Sequence, residues 1–262
     1  MYKHHEDSLA IMRLYIEENP EVIALIFGGS VAKGNERPDS DLDAMVVIED
    51  AAYEERVRSR TAVETISGLC TYEGGYFDVK YMTKDYLRAA ADHASEPTRN
   101  AFVGSRVIFS RDPEIEGLVR RIPVFQERER SEKMMSFYAD FSLNYHYFLK
   151  GCHPEGYMRL HAIGEIIYSL YRMVLQERGV LFPCNRRLEE TVAALSPETA
   201  ELTALGKALA ASQSMEDAER FVACFERLSS WKPPEDYSLV LTTYTRDFEQ
   251  WWMNPRPNIN EW

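Results

Sequence analysis

Two short apolar runs, each bounded by small polar residues, constrain this chain more than any other feature. Val22-Ile23-Ala24-Leu25-Ile26-Phe27 stops at Gly28-Gly29-Ser30, and Leu42-Asp43-Ala44-Met45-Val46-Val47-Ile48 starts directly behind Ser40-Asp41. Both runs are apolar and too short for a buried helix, so each predicts a buried strand. Paired glycines at a strand end permit a sharp turn and let backbone approach a ligand closely. The N–H groups of such a turn, with a helix start behind it, suit a phosphate, and Ser30 adds a hydroxyl donor. Asp41 and Asp43 are two residues apart at the head of a strand, so side-chain alternation points both to one face. Two carboxylates there form a hard oxygen site of the kind Mg²⁺ occupies, with waters and substrate phosphates completing the shell.

The surrounding pattern predicts a helix over residues 7–19 closed by Pro20, and a helical turn followed by a loop over 30–40. It further predicts a helix over 53–66, a third strand over 75–82, a helix over 84–93 and a short strand over 106–110. The character changes at Ile122-Pro123. Beyond it helices are predicted over 127–150, 154–178, 187–195, 197–211, 215–228 and 234–252, with Gly151, Gly179, Pro183, Ser196 and Pro233-Pro234 as breakers. The tail from Asn254 to Trp262 is expected to pack as an irregular strap or to fray. The fold class read from this order is α+β: a small mixed sheet with flanking helices over 1–122, then an all-α helical bundle over 123–262.

A third acid fits the first picture. In Tyr76-Phe77-Asp78-Val79-Lys80-Tyr81, alternation puts Phe77, Val79 and Tyr81 on one side and Tyr76, Asp78 and Lys80 on the other. An acid inside an otherwise apolar strand is costly unless it is paired or metal-bound. If this strand lies beside that of Asp43, three carboxylates converge, enough to hold one or two metal ions for phosphoryl chemistry. Lys80 then either neutralises phosphate charge or pairs with Asp78. A Walker A loop is excluded, because Lys33 precedes Gly34 and Asn35 follows it.

The order strand, Gly28-Gly29-Ser30, Gly34, Ser40-Asp41-Leu42-Asp43, and then a strand carrying Asp78 resembles the DNA polymerase β-type nucleotidyltransferase superfamily. It is most similar to the small bacterial enzymes that include the aminoglycoside nucleotidyltransferases. The resemblance covers roughly the first 120 residues by motif. It extends more loosely to the second half, since these enzymes commonly carry a helical domain that helps bind the acceptor. It implies a catalytic domain over 1–122 and an acceptor-binding domain over 123–262. Gly28, Gly29, Ser30, Ser40 and Lys80 would hold the nucleotide. Asp41, Asp43 and Asp78 would be catalytic and would ligate Mg²⁺. Asp78 would act as a metal ligand or as general base, and it departs from the Glu of the streptomycin-type enzymes. ATP or another NTP would be the donor, and an NMP would pass to a hydroxyl of a small molecule. An aminoglycoside-like acceptor, and with it a role in antibiotic resistance, is within what the resemblance implies.

Charge narrows the partners. With 30 Lys and Arg against 42 Asp and Glu, the net charge is -12. Nucleic-acid affinity rests on cations that neutralise phosphates, so long DNA or RNA is a poor partner and a small cationic acceptor a better one. No apolar run is long enough to cross a bilayer and the first residues lack a signal-peptide core, so a cytoplasmic protein with no membrane partner is expected. Cys70, Cys152, Cys184 and Cys224 are scattered, without metal or disulfide spacing. In the helical half, His161, Glu165, Tyr168 and Arg172 recur at helical spacing on a face distinct from the apolar stripe of Leu160, Ile163, Ile167, Leu170 and Val174. They are candidate acceptor contacts, with a solvated face of i,i+4 pairs as the plainer reading. Two rival functions remain: AMP transfer to a protein, as by antitoxin-type members of the superfamily, and nucleotide binding without catalysis. Sequence leaves oligomeric state open.

Overall fold

The computed structural model describes residues 1–255; the predicted tail beyond Pro255 lies outside the described residues. The chain divides into two compact units, Met1–Val124 and Phe125–Trp262.

The first unit is built on a five-stranded sheet in the order β3-β4-β2-β1-β5. Helix α1 (Lys3–Glu17) leads into β1 (Val22–Phe27), a four-residue turn of helix α2 (Gly29–Ala32) follows the glycines, and β2 (Leu42–Ile48) returns antiparallel to β1. Helix α3 (Asp50–Ser59) and β3 (Val63–Ser67) then carry the chain across to β4 (Tyr76–Met82), which runs parallel to β2 and antiparallel to β3. Helices α4 (Lys84–His93) and α5 (Glu96–Ala101), strand β5 (Arg106–Ser110) and helix α6 (Glu114–Arg121) complete it.

Alternation along the strands sends apolar side chains to two different layers. Leu25, Phe27, Leu42, Ala44, Val46, Phe77 and Val79 pack with Leu9, Met12 and Ile16 of α1. Ala24, Ile26, Met45, Val47 and Met82 pack on the other face under Leu87 and Ala90 of α4 and Ile115, Leu118 and Val119 of α6. Strands covered on both faces read as continuous apolar runs, which is why β1 and β2 stand out in the sequence.

One expectation is overturned here. The helix read over 53–66 ends at Ser59, and residues 63–67 form a strand. Arg60 takes the left-handed conformation (φ 62°) and stops the helix. Val63–Ser67 then pairs with β4, with Glu64 and Ile66 half-buried and Val63, Thr65 and Ser67 exposed. Helical spacing within 53–59 continued by chance across that stop. Helices α5 and α6 were not foreseen, because both are short and polar in their first turns.

The second unit is helical: α7 (Arg130–Ser142), α8 (Gly156–Arg178), α9 (Asn185–Ala193), α10 (Pro197–Ser212), α11 (Met215–Leu228) and α12 (Tyr237–Tyr244). The helix expected over 127–150 changes to π-helical winding at Leu143–Gly151, and the one expected over 234–252 does so at Thr245–Glu249. Phe137, Phe141, Tyr145, Ile163, Ile166, Leu170 and Val174 centre its core. Ser196 starts α10 with a reciprocal capping box to Thr199, ahead of Pro197, as the breaker pattern predicts. Among the described residues no helix is long and apolar enough to cross a membrane.

Candidate active site

The parallel register of β2 and β4 sets Asp43 directly opposite Asp78. Both belong to the face that carries Met45, Val47 and Met82 further along, but they stand at its end, where no core side chain covers them. Asp41 precedes β2, and Tyr76 and Lys80 flank Asp78 on the exposed side of β4. Lys80 Nζ lies 3.8 Å from Asp78 Oδ2, with the lysine side chain 55% exposed and the aspartate 31%. That separation is an ion pair in water rather than a closed bond.

The glycine turn is fitted to the acid. Gly28 N–H donates to the carbonyl of Asp43 (3.0 Å), closing the sheet at this end. Gly29 has φ +71°, and a Cβ built on it would lie 1.7 Å from Asp43 Oδ2. The carboxylate therefore rests against the Cα of Gly29, a place that only glycine leaves vacant. Ser30, half-buried, follows in α2. The loop from Gly34 to Asp41 is braced from within. The Ser40 hydroxyl accepts the Arg37 N–H (2.9 Å), Ser40 N–H donates to Arg37 O (3.1 Å), and Tyr72 Oη donates to Ser40 O (2.6 Å). Ser40 is buried, and its hydroxyl serves the turn that delivers Asp41. Tyr72 in turn packs against the rings of His4 and His5.

Electrostatics distinguish Asp43 from an ordinary surface acid. Burial raises its pKa, the charges of Asp41 and Asp78 raise it further, and Lys80 and Lys33 pull against them. The Asp41 charge is also the main cause of a raised pKa at Tyr76. The three acids thus share one field. They are nonetheless held apart: among the described residues no three His, Cys, Asp or Glu side chains stand close enough to hold a metal ion. The convergence expected from sequence is a convergence of strands and charge, not a preformed three-ligand cage, as mutual repulsion between carboxylates dictates. The donor set still fits a hard divalent cation: two flanking acids disfavour ionisation of a half-desolvated carboxylate, and a cation beside it would reverse that.

This geometry agrees with what similarity shows. Residues 9–94, which run from α1 to the end of α4, match the nucleotidyltransferase domain family. Over these residues the chain is similar to that family. No curated protein matches it. Two solved structures align along most of its length. A nucleotidyltransferase-like protein from Exiguobacterium sibiricum aligns with 14% identity and a TM-score of 0.44, covering 96% of this chain and 81% of that one. Spectinomycin adenyltransferase AAD(9) from Enterococcus faecialis, crystallised with ATP and spectinomycin, aligns with 14% identity and a TM-score of 0.33, covering 93% and 96%.

Gly28, Gly29, Gly34, Asp41, Asp43 and Asp78 all fall inside the matched residues 9–94. The helical candidates fare differently from one another. His161 is 43% exposed and Glu165 25%, with His161 Nδ1 3.9 Å from Glu165 Oε1. Arg172 does not share their solvated face. It is wholly buried, its guanidinium 4.5 Å from the Phe137 ring centroid and 4.0 Å from that of Phe182, and it donates to the Tyr168 hydroxyl. A helix this deeply packed hides positions that spacing alone assigns to solvent. Sequence also missed Asp140 on α7. It is buried, accepts from Ser169 Oγ (2.6 Å) and Asn144 Nδ2 (2.9 Å), and its pKa is pushed up to about 7 by burial. A cavity of about 450 Å³ touching Ile23, Glu49, Arg111 and Asp112 lies at the other end of β1 and β2 from the acids. Its Arg111 is spent on the Glu17 and Asn19 carbonyls at the end of α1, so it offers no comparable chemistry.

Proposed function

We propose that the protein transfers a nucleoside monophosphate, AMP first among them, from an NTP to a hydroxyl of a small cationic molecule. The observation that carries the proposal is the placing of Asp43 against Gly29 and opposite Asp78, within the field of Asp41, inside the residues that match the nucleotidyltransferase domain family. Asp41 and Asp43, with Asp78 beside them, would hold Mg²⁺. Such an ion offsets the negative charge that grows on the phosphates as pyrophosphate leaves. The glycine turn brings backbone against the triphosphate, and Ser30 orients it. Asp78 either completes the metal ligands or takes the proton of the attacking hydroxyl. Lys80, mostly exposed beside Asp78, is available to phosphate charge. In the helical unit, Glu165 and His161 of α8 are the proposed acceptor contacts; Arg172 is withdrawn from that role by its burial.

The test is incubation of the pure protein with Mg²⁺, α-labelled ATP and a panel of hydroxyl- and amine-bearing small molecules. Label moving to an acceptor with stoichiometric pyrophosphate supports the reading. Label on protein bands would replace it with protein AMP transfer. ATP binding without turnover across the panel would leave a binding module. Activity surviving removal of divalent metal would sink the metal assignment.

A further inference from the structure

Asp41 carries a proposed metal contact yet stands on a loop, one residue ahead of β2. A ligand placed there needs outside support to keep its geometry. The pairing of β2 with β4 begins at Leu42 opposite Phe77. One step back along both parallel strands sets Tyr76 beside Asp41, and alternation puts its side chain on the face of Asp43 and Asp78. Tyr76 is 38% exposed, so its ring edges the site rather than the core. Its hydroxyl is in hydrogen-bonding reach of the Asp41 carboxylate, and the Asp41 charge, ahead of partial burial and that bond, raises its pKa. The phenol is therefore a donor. It occupies one of about four lone-pair sites of the carboxylate and brings no charge, which leaves the remaining sites to a cation.

The segment that leads into β4 grips the preceding residue as well. Tyr72 Oη donates to Ser40 O at 2.6 Å, so two phenols from one segment hold two successive residues of the loop. That segment is itself fastened to α1: Thr71 N–H donates to Ser8 Oγ at 2.9 Å, and Thr71 Oγ1 donates to His4 O at 3.0 Å. Gly75 lets the segment close between the two tyrosines. A Cβ there would lie 2.7 Å from Cys70 Cβ and from the Tyr72 ring. Tyr76 then enters β4, an interior strand, with Ser67 opposite it in β3. Asp41 is thus held from a rigid element and not by its own loop alone.

We propose that Tyr76 and Tyr72 clamp the Ser40-Asp41 segment so that Asp41 is set for a divalent cation, and that the clamp fixes how tightly the site takes that cation. This rests on the proposed nucleotidyl transfer and adds to it two residues that the glycine-serine-aspartate motif leaves out. Both are positioning residues, Tyr76 through the carboxylate and Tyr72 through the backbone.

The experiment is binding of Mn²⁺ to the full chain in the presence of α,β-methylene-ATP, with unbound Mn²⁺ read by electron paramagnetic resonance and the analogue alone as baseline. Tyr76→Phe should weaken Mn²⁺ about 10- to 100-fold, as loss of a ligand's supporting hydrogen bond does. Tyr72→Phe should weaken it about fivefold, the value of one neutral hydrogen bond. Tyr76→Leu should match Tyr76→Phe within about threefold, because the hydroxyl acts and not the ring. At saturating Mn²⁺ the analogue should bind each variant within about threefold of the parent. Thermal melting shows that each variant is folded; where Tyr72→Phe is not, Tyr76→Phe decides. Unchanged Mn²⁺ affinity in folded Tyr76→Phe or Tyr72→Phe, or a loss of nucleotide affinity that saturating Mn²⁺ does not restore, overturns the clamp and leaves nucleotidyl transfer standing. Failure of the unaltered protein to bind Mn²⁺ and nucleotide together overturns nucleotidyl transfer itself, and the clamp with it.

Discussion

Two groups of acids, one in each unit, show how differently a carboxylate can be treated by its surroundings. Asp140 in the helical unit is enclosed, and both its oxygens are met by protein donors, Ser169 and Asn144. Asp43 in the first unit is half-enclosed and faced by two further acids and two lysines. Burial raises the pKa of both. The first is held by two donors that favour its charge, while burial and the neighbouring Glu165 carboxyl push its pKa up. The second is an acid that the fold leaves incomplete, with its charge to be answered by something bound.

The comparison breaks most sharply at Asp43. Asp43→Asn should lower Mg²⁺-dependent pyrophosphate release by at least ~10³-fold, as loss of a metal ligand does, while the melting temperature holds or rises because a repelled charge is gone. An unaltered rate would remove Asp43 from the chemistry. Gly29→Ala should follow, at a cost of about 2–4 kcal/mol in chemical denaturation together with loss of turnover, from left-handed backbone and the collision with Asp43. A variant as stable and active as the parent would show that the carboxylate does not rest there.

At Asp140 the effect is one of pH. Its folded pKa of about 7 stands above the ordinary 3.8, so the native state holds a proton that the unfolded chain releases. The resulting stability is complete below about pH 4 and is lost as pH rises through 7. The unfolding free energy from denaturant titrations should therefore fall by about 2 kcal/mol between pH 5 and pH 7, and Asp140→Asn should flatten that slope. A slope persisting in the variant would assign the proton elsewhere. Asp43, by the same reasoning, should lose its charge at higher pH than an ordinary aspartate. That holds for the metal-free protein, and added Mg²⁺ should pull the titration back down. Smallest is Ser40→Ala, which removes one hydrogen bond in the loop and should cost about 1 kcal/mol with little change in ATP affinity. A large loss of affinity would return Ser40 to the nucleotide.

The legible parts of the sequence were those where local pattern and burial agree. Strands β1 and β2 are covered on both faces, so their apolar runs announce them, and the glycines and Asp41-Leu42-Asp43 are read from position alone. Alternation in β4 likewise gave the face of Asp78. Strand β3 was hidden because it is a mostly exposed edge strand, with Glu64 and Ile66 alone half-buried, and the adjoining helix lent it a helical rhythm. Tyr72 carries no signal either, since its bond to Ser40 O is with backbone. Arg172 misled because helical spacing tells which residues share a side, not which side is covered.

The sheet order has a consequence for how the protein breathes. Strands β2 and β4 are interior, each paired on both sides, while β3 and β5 form the edges. Amide protons along 43–47 and 77–81 should therefore trade with deuterated solvent only in rare, large-scale openings, whereas those of the loop ahead of Asp41, which no strand pairing holds, should trade sooner. Two of the three acids would then ride on the most slowly exchanging backbone in their unit, and a nucleotide's arrival should be recorded almost wholly in the slowing of the loop in front of them.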